Sequence, residues 1–285
     1  MRKLCLLLAA SLMLGVVANA QYHYLKHFYS PGENPGGLNV DDENPNPGTN
    51  GWTSLYLGGG GTTPVWSNGT IPFSFQFNGS FFSSFWVSNT GVVTFQPSPG
   101  TAPNTFSVSL PSAALPNNSI TVWGLAGFGT NDNILAKTFG TAPNRQHWIW
   151  FNSFSDPLFT TNCFSYWAIV LEEGTNKVYI VDQRTNACVQ SVITGLQYNS
   201  SSALEVPWPL GTSFGGVSSG VEDNQYVEFI PGAAPGLDVA GLQPNNVPTV
   251  LALGQSANIS TRMGNYGSNA FNSATYNYQV NGGSV

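Results

Sequence analysis

Charged side chains are scarce in this chain. Of its 285 residues, 8 are Lys or Arg and 14 are Asp or Glu, so the charged fraction is 8%, against about 25% in average proteins. This composition is unlike that of helical cytoplasmic proteins, because 32 Gly, 19 Pro and uncharged polar residues take the places of charges. The formal net charge of −6 argues against nucleic acid and anionic membranes as partners. A glycan or another extracellular polymer fits this charge better.

Long apolar runs are also missing, with one exception at the start of the chain. Arg2 and Lys3 precede an apolar stretch over residues 4–17, and Ala18 and Ala20 follow it. The stretch is shorter than the ~20 residues that a membrane-spanning helix requires, and its flanks are typical of a secretion signal. We predict a signal peptide over residues 1–20, a secreted or cell-surface location, and no membrane insertion.

Cysteine is rare, and one of the three cysteines, Cys5, lies in the predicted signal. The remaining pair, Cys163 and Cys188, flanks a predicted hairpin centred on residues 174–176, in which paired positions sum to about 350. Disulfides persist outside the cytoplasm, and closing a loop of this size contributes roughly 3 kcal/mol in the chain-entropy model. We predict a structural Cys163–Cys188 disulfide. The alternative, a reactive or metal-binding thiol pair, has no nearby His or third Cys to support it.

Helical periodicity is absent, and alternation of period two takes its place. In residues 71–77 large apolar side chains alternate with small or polar ones, and Asn78-Gly79 is typical of a tight hairpin turn. Residues 71–96 therefore read as a three-stranded meander. Further strands are predicted at 119–124, 134–139, 147–151, 164–172, 177–183, 189–197 and 225–230. The fold class is all-β, a β-sandwich or jelly-roll-like domain.

Domain organisation changes after residue 232. Residues 233–236 have the Gly, Pro and Ala composition of a linker, and strands are predicted behind them at 237–242, 250–253, 257–263 and 274–280. An immunoglobulin-like module takes about 100 residues, more than the chain has left. We therefore predict a signal peptide at 1–20, a β-sandwich domain at 21–232, a linker at 233–236 and a partial Ig-like domain at 237–285.

Histidine is too rare to supply an obvious catalytic site. Only His147 lies in the strand-rich region, with no Gly-x-Ser-x-Gly turn beside it, and a satisfied strand histidine is the simpler interpretation. Glycosidase chemistry needs two paired carboxylates, which the sequence cannot pair. Glu172 and Glu173 are most simply solvated turn charges. We predict that the chain is not an enzyme. The carboxylates considered are Asp132, Asp156, Glu172, Glu173, Asp182, Glu205, Glu222 and Asp223.

An acidic loop offers the best metal candidate. Asp41, Asp42 and Glu43 place three carboxylates in a Gly- and Pro-rich loop, and Ca²⁺ prefers hard oxygen ligands of this kind. The spacing does not follow an EF-hand, so an exposed acidic loop is the simpler interpretation and a structural Ca²⁺ ion the alternative. Residues 131–133, Asn-Asp-Asn, are a weaker candidate of the same type. No other cofactor is predicted.

Aromatic residues give the remaining binding signal. We assign Trp148, Trp150 and Trp167 to packing, because they lie within apolar strands. Trp208 stands between two prolines, which excludes it from a central strand. It is therefore the candidate ligand-binding tryptophan, with a buried loop anchor as the alternative.

Several stretches resemble one group of secreted proteins. Residues 34–39, Asn-Pro-Gly-Gly-Leu-Asn, followed by Asp42-Glu43 and Gly51-Trp52, are similar to the start of adhesin-like surface proteins of Bacteroidetes-type bacteria. Residues 71–75, 87–91 and 142–149 resemble the same proteins. Members are multidomain and exported by a type IX system, so the resemblance implies cell-surface display. Residues 237–285 resemble the start of a CARDB-type adhesion module, which is Ig-like.

These observations favour a secreted, non-catalytic surface protein that acts in adhesion or as an extracellular structural module. The alternative is a carbohydrate-binding accessory domain of a larger secreted enzyme.

The cysteine pair provides a direct test. Purified mature protein should show no reactive thiol under denaturing conditions until a reductant is added. The Cys188→Ser variant should lose roughly 3 kcal/mol of unfolding free energy and expose the Cys163 thiol. Thiol titration and urea unfolding measure both effects, and free thiols in the unreduced wild type would contradict the pairing.

Overall fold

The chain folds almost entirely as β-strands. The computed structural model describes residues 23–28, 34–41, 48–104, 108–154, 164–186, 192–206, 225–245, 254–258, 260–273 and 275. Within these ranges it has a short 3-10 turn at Pro35–Gly37. The strands in chain order are β1 His23–Phe28, β2 Thr53–Leu57, β3 Trp66–Phe77, β4 Ser80–Ser88, β5 Val92–Thr94, β6 Ser119–Trp123, β7 Asn133–Thr141, β8 Asn144–Phe154, β9 Phe164–Glu172, β10 Val178–Asn186, β11 Ile193–Asn199, β12 Ser202–Glu205, β13 Gln225–Pro231, β14 Val239–Asn245 and β15 Ser260–Asn265.

Two antiparallel sheets account for most of these strands. One has seven strands in the order β1-β13-β10-β9-β8-β7-β2, and the other has six in the order β12-β11-β6-β5-β4-β3. A common apolar core joins the sheets, since it contains buried residues of both. The predicted all-β sandwich is confirmed. In the described residues no helix has the length and apolar composition to cross a bilayer.

Alternation along β3 determines which of its side chains enter the core. Ile71, Phe73, Phe75 and Phe77 are each at most 7% exposed, while Pro72 and Ser74 between them are exposed and Gln76 is half-buried. Burying one large apolar side chain contributes roughly 1.5–3 kcal/mol, so these four side chains strongly favour this face of the strand, and the pairing of β3 with β4 shifts register between Thr70 and Phe75. The predicted meander is confirmed as β3, β4 and β5, which are neighbours in one sheet. Its first turn has Asn78 and Gly79 at φ 46° and 78°.

The hairpin used to pair the cysteines is also present. Strands β9 and β10 are antiparallel, with Val178 opposite Leu171 and, beyond a bulge, Asn186 opposite Phe164. These pairs sum to 349 and 350, close to the predicted value. Cys163 and Cys188 lie just outside the described residues, so the disulfide remains a prediction.

The seven-stranded sheet is buried on both faces along its central strands. A second apolar cluster covers its outer face and includes Trp52, Leu135, Trp148, Trp150 and Val170. Trp148 and Trp150 stack with ring centroids 6.1 Å apart, and Trp52 meets Trp150 edge-on at 5.6 Å. Burial on two faces explains why β8 and β9 read as continuous apolar runs. The assignment of Trp148, Trp150 and Trp167 to packing is confirmed, because all three are fully buried.

On the six-stranded sheet, one buried amide anchors the covering loop. The side-chain Nε2 of Gln197 donates to the carbonyls of Ser112 and Leu115 at 2.9 and 3.1 Å. Its Oε1 accepts from the Ser112 N–H at 2.7 Å. Leu115 then packs with Val92 and Trp123 on the sheet. A buried amide that uses both its donor and acceptor capacity holds a loop without an unpaired polar group.

Three strands of the structure were not predicted from the sequence. These strands, β1, β2 and β12, all lie at sheet edges; β1 pairs with β13, with His23 opposite Pro231. The burial pattern of β2 is only partial, and edge strands of this kind give weak alternation.

After the linker the described chain forms one further antiparallel pair, β14 with β15. These match the predicted strands at 237–242 and 257–263. The predicted strands at 250–253 and 274–280 lie outside the described residues, apart from Thr275, and the Ig-like module is untested. Lys26 of β1 forms an ion pair with Asp238 at 2.5 Å, which joins the first strand of the sandwich to the segment behind the linker.

The turn between β4 and β5 depends on Gly91. It has φ 87°, and a Cβ there would lie 2.0 Å from the Val122 carbonyl oxygen. Gly100 has a similar φ of 75° with nothing within 4 Å of its Cβ position. Replacing either glycine with Ala should lower the unfolding free energy by roughly 1–2 kcal/mol, because Ala is strained at positive φ. Gly91→Ala should lose about 1–3 kcal/mol more, because its Cβ overpacks against Val122. Urea unfolding measures the difference between Gly91→Ala and Gly100→Ala. Equal losses of unfolding free energy in the two variants would contradict the close contact at Gly91.

Candidate functional site

The predicted acidic metal loop is only partly described. Asp41 Oδ2 accepts hydrogen bonds from Trp52 Nε1 and Lys137 Nζ, both at 2.6 Å. This carboxylate therefore holds its loop against β2 and β7. Asp42 and Glu43 lie outside the described residues. Among the residues that can be described, no three His, Cys, Asp or Glu side chains gather as metal ligands.

The second acidic candidate, Asp132, closes a loop. Its Oδ2 accepts from the Gly129 N–H at 2.7 Å, and the side chain is only 3% exposed. Burial raises the pKa of Asp132 to about 6, against the opposing effect of its backbone hydrogen bonds. Neighbouring Asn133 accepts from the Gly58 N–H at 3.3 Å, so this acidic turn also fixes the chain that follows β2.

Glu172 and Glu173 lie at the predicted hairpin end and are partly exposed, but both have side-chain partners that the sequence interpretation did not include. Glu173 forms a two-point ion pair with Arg145 at 2.6 and 2.7 Å, which lowers the pKa of Glu173 and raises that of Arg145. Glu172 accepts from Gln146 at 2.9 Å, from Tyr179 at 3.1 Å and from Thr175. Both carboxylates lie at a hairpin end because that is where β8, β9 and β10 bring polar partners together.

A crevice lies between the sheets where the edge strand β2 approaches the edge strand β3. Its volume is about 200 Å³. Its rim is formed by exposed residues of β2 and β3, and its floor by β7 and β8. The lining residues used below are Thr53, Leu55, Thr70, Pro72, Thr138 and His147.

His147 forms the floor of this crevice and is 5% exposed. Its Nδ1 lies 2.8 Å from Thr138 Oγ1, and its ring centroid is 5.8 Å from that of Phe85. No described residue offers its Nε2 a hydrogen bond. The expected strand position is therefore correct, and Nδ1 is the ring nitrogen with a described partner. Burial lowers the pKa of His147 to about 4, so the ring is neutral at pH 7.

The charge at the crevice is balanced. Lys137 contributes to the lining, but its ammonium pairs with Asp41 at 2.6 Å. The same Nζ lies 4.7 Å from the centroid of the Phe139 ring. Ion pairing and this cation–π contact hold the ammonium in place. The crevice thus combines a neutral imidazole, threonine hydroxyls and apolar surface, with no net charge from the Lys137–Asp41 pair.

Part of this site could be predicted from the sequence. The β7–β8 hairpin pairs Thr138 with His147, and the turn at Ala142-Pro143 between two predicted strands fixes that register. The approach of β2 to β3 could not be predicted from the sequence, because these strands belong to different sheets. Trp208, the candidate ligand-binding tryptophan, and the pair Cys163 and Cys188 lie outside the described residues.

Comparison with known protein families identifies a match over most of the sandwich. The model of a family described as NIDO related matches residues 49–231, a span that includes both walls of the crevice. No curated protein and no solved structure matches the chain.

Histidine burial predicts acid sensitivity. His147 and His23 have pKa values lowered from 6.5 to about 4 by burial. In the unfolded chain each binds a proton as pH falls through 6.5, whereas in the folded chain it does not until about 4. Each therefore stabilises the fold fully above pH 6.5 and loses this contribution as pH falls toward 4. Asp132, with its raised pKa, acts in the opposite direction between about 6 and 3.8.

The His147→Gln variant isolates one of these contributions. Between pH 7 and 4.5 its unfolding free energy should fall by about 2–3 kcal/mol less than that of the wild type. Urea unfolding at the two pH values measures the difference, and His23→Gln should behave similarly. Parallel pH profiles for wild type and His147→Gln would contradict the assignment.

Proposed function

The chain belongs to the NIDO-related family over residues 49–231, and from this premise we propose that it is a non-catalytic extracellular module acting in adhesion or as a structural unit. NIDO-related domains are typical of extracellular proteins. The low charge and the predicted signal peptide support the same location.

The use of carboxylates in the fold is the observation that carries this proposal. Glycosidase chemistry needs two carboxylates free to face a substrate. Instead, Glu173 pairs with Arg145, and Glu172 accepts three side-chain hydrogen bonds. Glu205 Oε2 accepts from the Leu110 N–H at 2.6 Å, and Asp132 closes its own turn. Each of these groups holds strands and loops together, which supports a structural role. Asp156, Glu222 and Asp223 lie outside the described residues.

A more specific proposal covers the type of surface protein, its export and its partner. We propose an adhesin-like protein of the Bacteroidetes type, displayed after type IX export, with residues 237–285 as the start of a CARDB-type module. A glycan or extracellular polymer would be its partner. A Cys163–Cys188 disulfide and, at Asp41, Asp42 and Glu43, a structural Ca²⁺ ion would stiffen it.

Adhesion of coated beads tests the proposal. Beads carrying folded residues 21–285 should be retained under flow on at least one immobilised extracellular polysaccharide or matrix protein. Beads carrying the reduced and alkylated chain should not be retained, because adhesion needs the folded surface. Absence of retention on every polymer would overturn the adhesive role.

Hydrolase assays test the non-catalytic part separately. The same protein should release no product from polysaccharide, ester or peptide substrates. Product release that disappears in Glu172→Gln but persists in Glu205→Gln would overturn the proposal. Binding to soluble glycans that is lost in Trp208→Ala would instead favour the carbohydrate-binding accessory domain.

A further inference from the structure

The edge strand β3 carries no charged residue. It lies at one end of the six-stranded sheet and, with 12 residues, is the longest of the described strands. Residues 44–131, which include β3 and its neighbour β4, contain no Asp, Glu, Lys or Arg. Charged side chains on an edge strand usually oppose its pairing with a strand of another chain. The sequence of β3 does not provide this protection.

One backbone donor of this edge is capped by a side chain from the other sheet. Gln76 N–H donates to Asn176 Oδ1 at 2.8 Å. Phe77 lies opposite Ser80 across the Asn78-Gly79 turn, and in a two-residue hairpin this pair exchanges both of its hydrogen bonds. Hydrogen-bonding directions alternate along a strand, so Gln76 N–H points away from β4. The cap therefore occupies a donor that an added strand would use.

Asn176 is held at the edge by its own turn. It has φ 55°, a conformation that Asn adopts more readily than most residues, and its N–H donates to the Glu172 carbonyl at 3.1 Å. The same hairpin end contacts β3 a second time, because the Arg145 guanidinium lies 5.3 Å from the centroid of the Phe73 ring. Arg145 pairs with Glu173, so this second contact brings no net charge to the edge.

Pro72 interrupts the middle of the same edge. Proline has no N–H to donate, and within sheets it is confined to edge strands, strand starts and bulges. Pro72 is exposed and lies where the pairing of β3 with β4 shifts register, between Thr70 and Phe75. A strand adding along β3 would thus find no donor at Pro72 and an occupied donor at Gln76.

We propose that the Asn176 amide blocks self-association of this protein through the β3 edge. The excluded partner is a second copy of the chain, because two antiparallel β3 strands would make one continuous sheet, and neither strand carries a charge that would oppose the contact. A symmetric pair uses the same edge of both copies, so both caps would have to be released. The inference concerns assembly and is independent of the proposed adhesive function.

Removal of the cap tests the proposal. Asn176→Gly deletes the side chain at a φ that glycine tolerates and frees Gln76 N–H. Sedimentation equilibrium of residues 21–285 should give an association constant about tenfold or more above that of the wild type, because two caps no longer compete with pairing.

The matched control is Asn199→Gly. Asn199 Oδ1 also caps a backbone N–H, that of Ser201, at 2.8 Å, but in the turn between β11 and β12. This variant should associate as the wild type does. An unchanged association constant in Asn176→Gly, or an equal rise in Asn199→Gly, would overturn the proposal.

Hydrogen exchange at Gln76 locates the new contact. The cap should protect this amide in the wild type, and in dilute Asn176→Gly the amide should exchange about tenfold faster. Raising the concentration of Asn176→Gly should protect the amide again as edges pair. Fast exchange in the wild type, or exchange in the variant that does not depend on concentration, would contradict the block.

A charge on the edge should reverse the effect of the lost cap. In the Asn176→Gly background, Ser74→Lys places an ammonium at an exposed position of β3 and should return the association constant to about the wild-type value. Ser201→Lys, at an exposed position in the turn before β12, adds the same charge away from β3 and should leave association high. Equal reversal by the two lysines would indicate general charge repulsion and overturn the assignment to the β3 edge.

Discussion

Burial of both faces of β8 and β9 is the constraint on which the rest of the structure depends. Ile149 and Trp167 face the core shared with the second sheet, while Trp148 and Val170 face the outer aromatic cluster. Strands covered on two sides have little room for charge, and polar groups that enter them need partners. The charged residues of these two strands, Arg145 of β8 and Glu172 of β9, accordingly lie near hairpin ends, where Glu173 and Gln146 are among their partners.

His147 departs from this pattern. It occupies β8 immediately before the doubly buried segment, with the same inward orientation as Ile149, and only one of its ring nitrogens has a described partner. A phenylalanine or leucine would satisfy the packing at that position without the cost of desolvating an imidazole. Polar groups kept at such a cost are typical of positions with a use beyond stability, and this one borders the crevice between β2 and β3.

The sequence allowed some of this to be predicted, for identifiable reasons. Residues 71–77 alternate strictly, and Asn78-Gly79 requires a tight turn, so the meander follows from local chemistry alone. The turn at 174–176 gave the β9–β10 register to within one residue. The neutralisation of Lys137 by Asp41, 96 positions away in the chain, depends on how a distant loop lies against β7. The placement of Thr53 and Thr70 around one crevice depends on how two sheets lie against each other. Local patterns carry no information about that arrangement.

The pairing of β1 with β13 has a mechanical consequence. Because His23 lies opposite Pro231, the sandwich begins and ends at the same end of two adjacent strands. Tension applied through these ends pulls the ladder apart one hydrogen bond at a time, rather than shearing all of its bonds together. A tether built this way yields first by peeling its outermost strand, while the doubly buried centre remains intact. Stretched between two attachment points, the protein would lengthen by releasing β1 before its core is exposed.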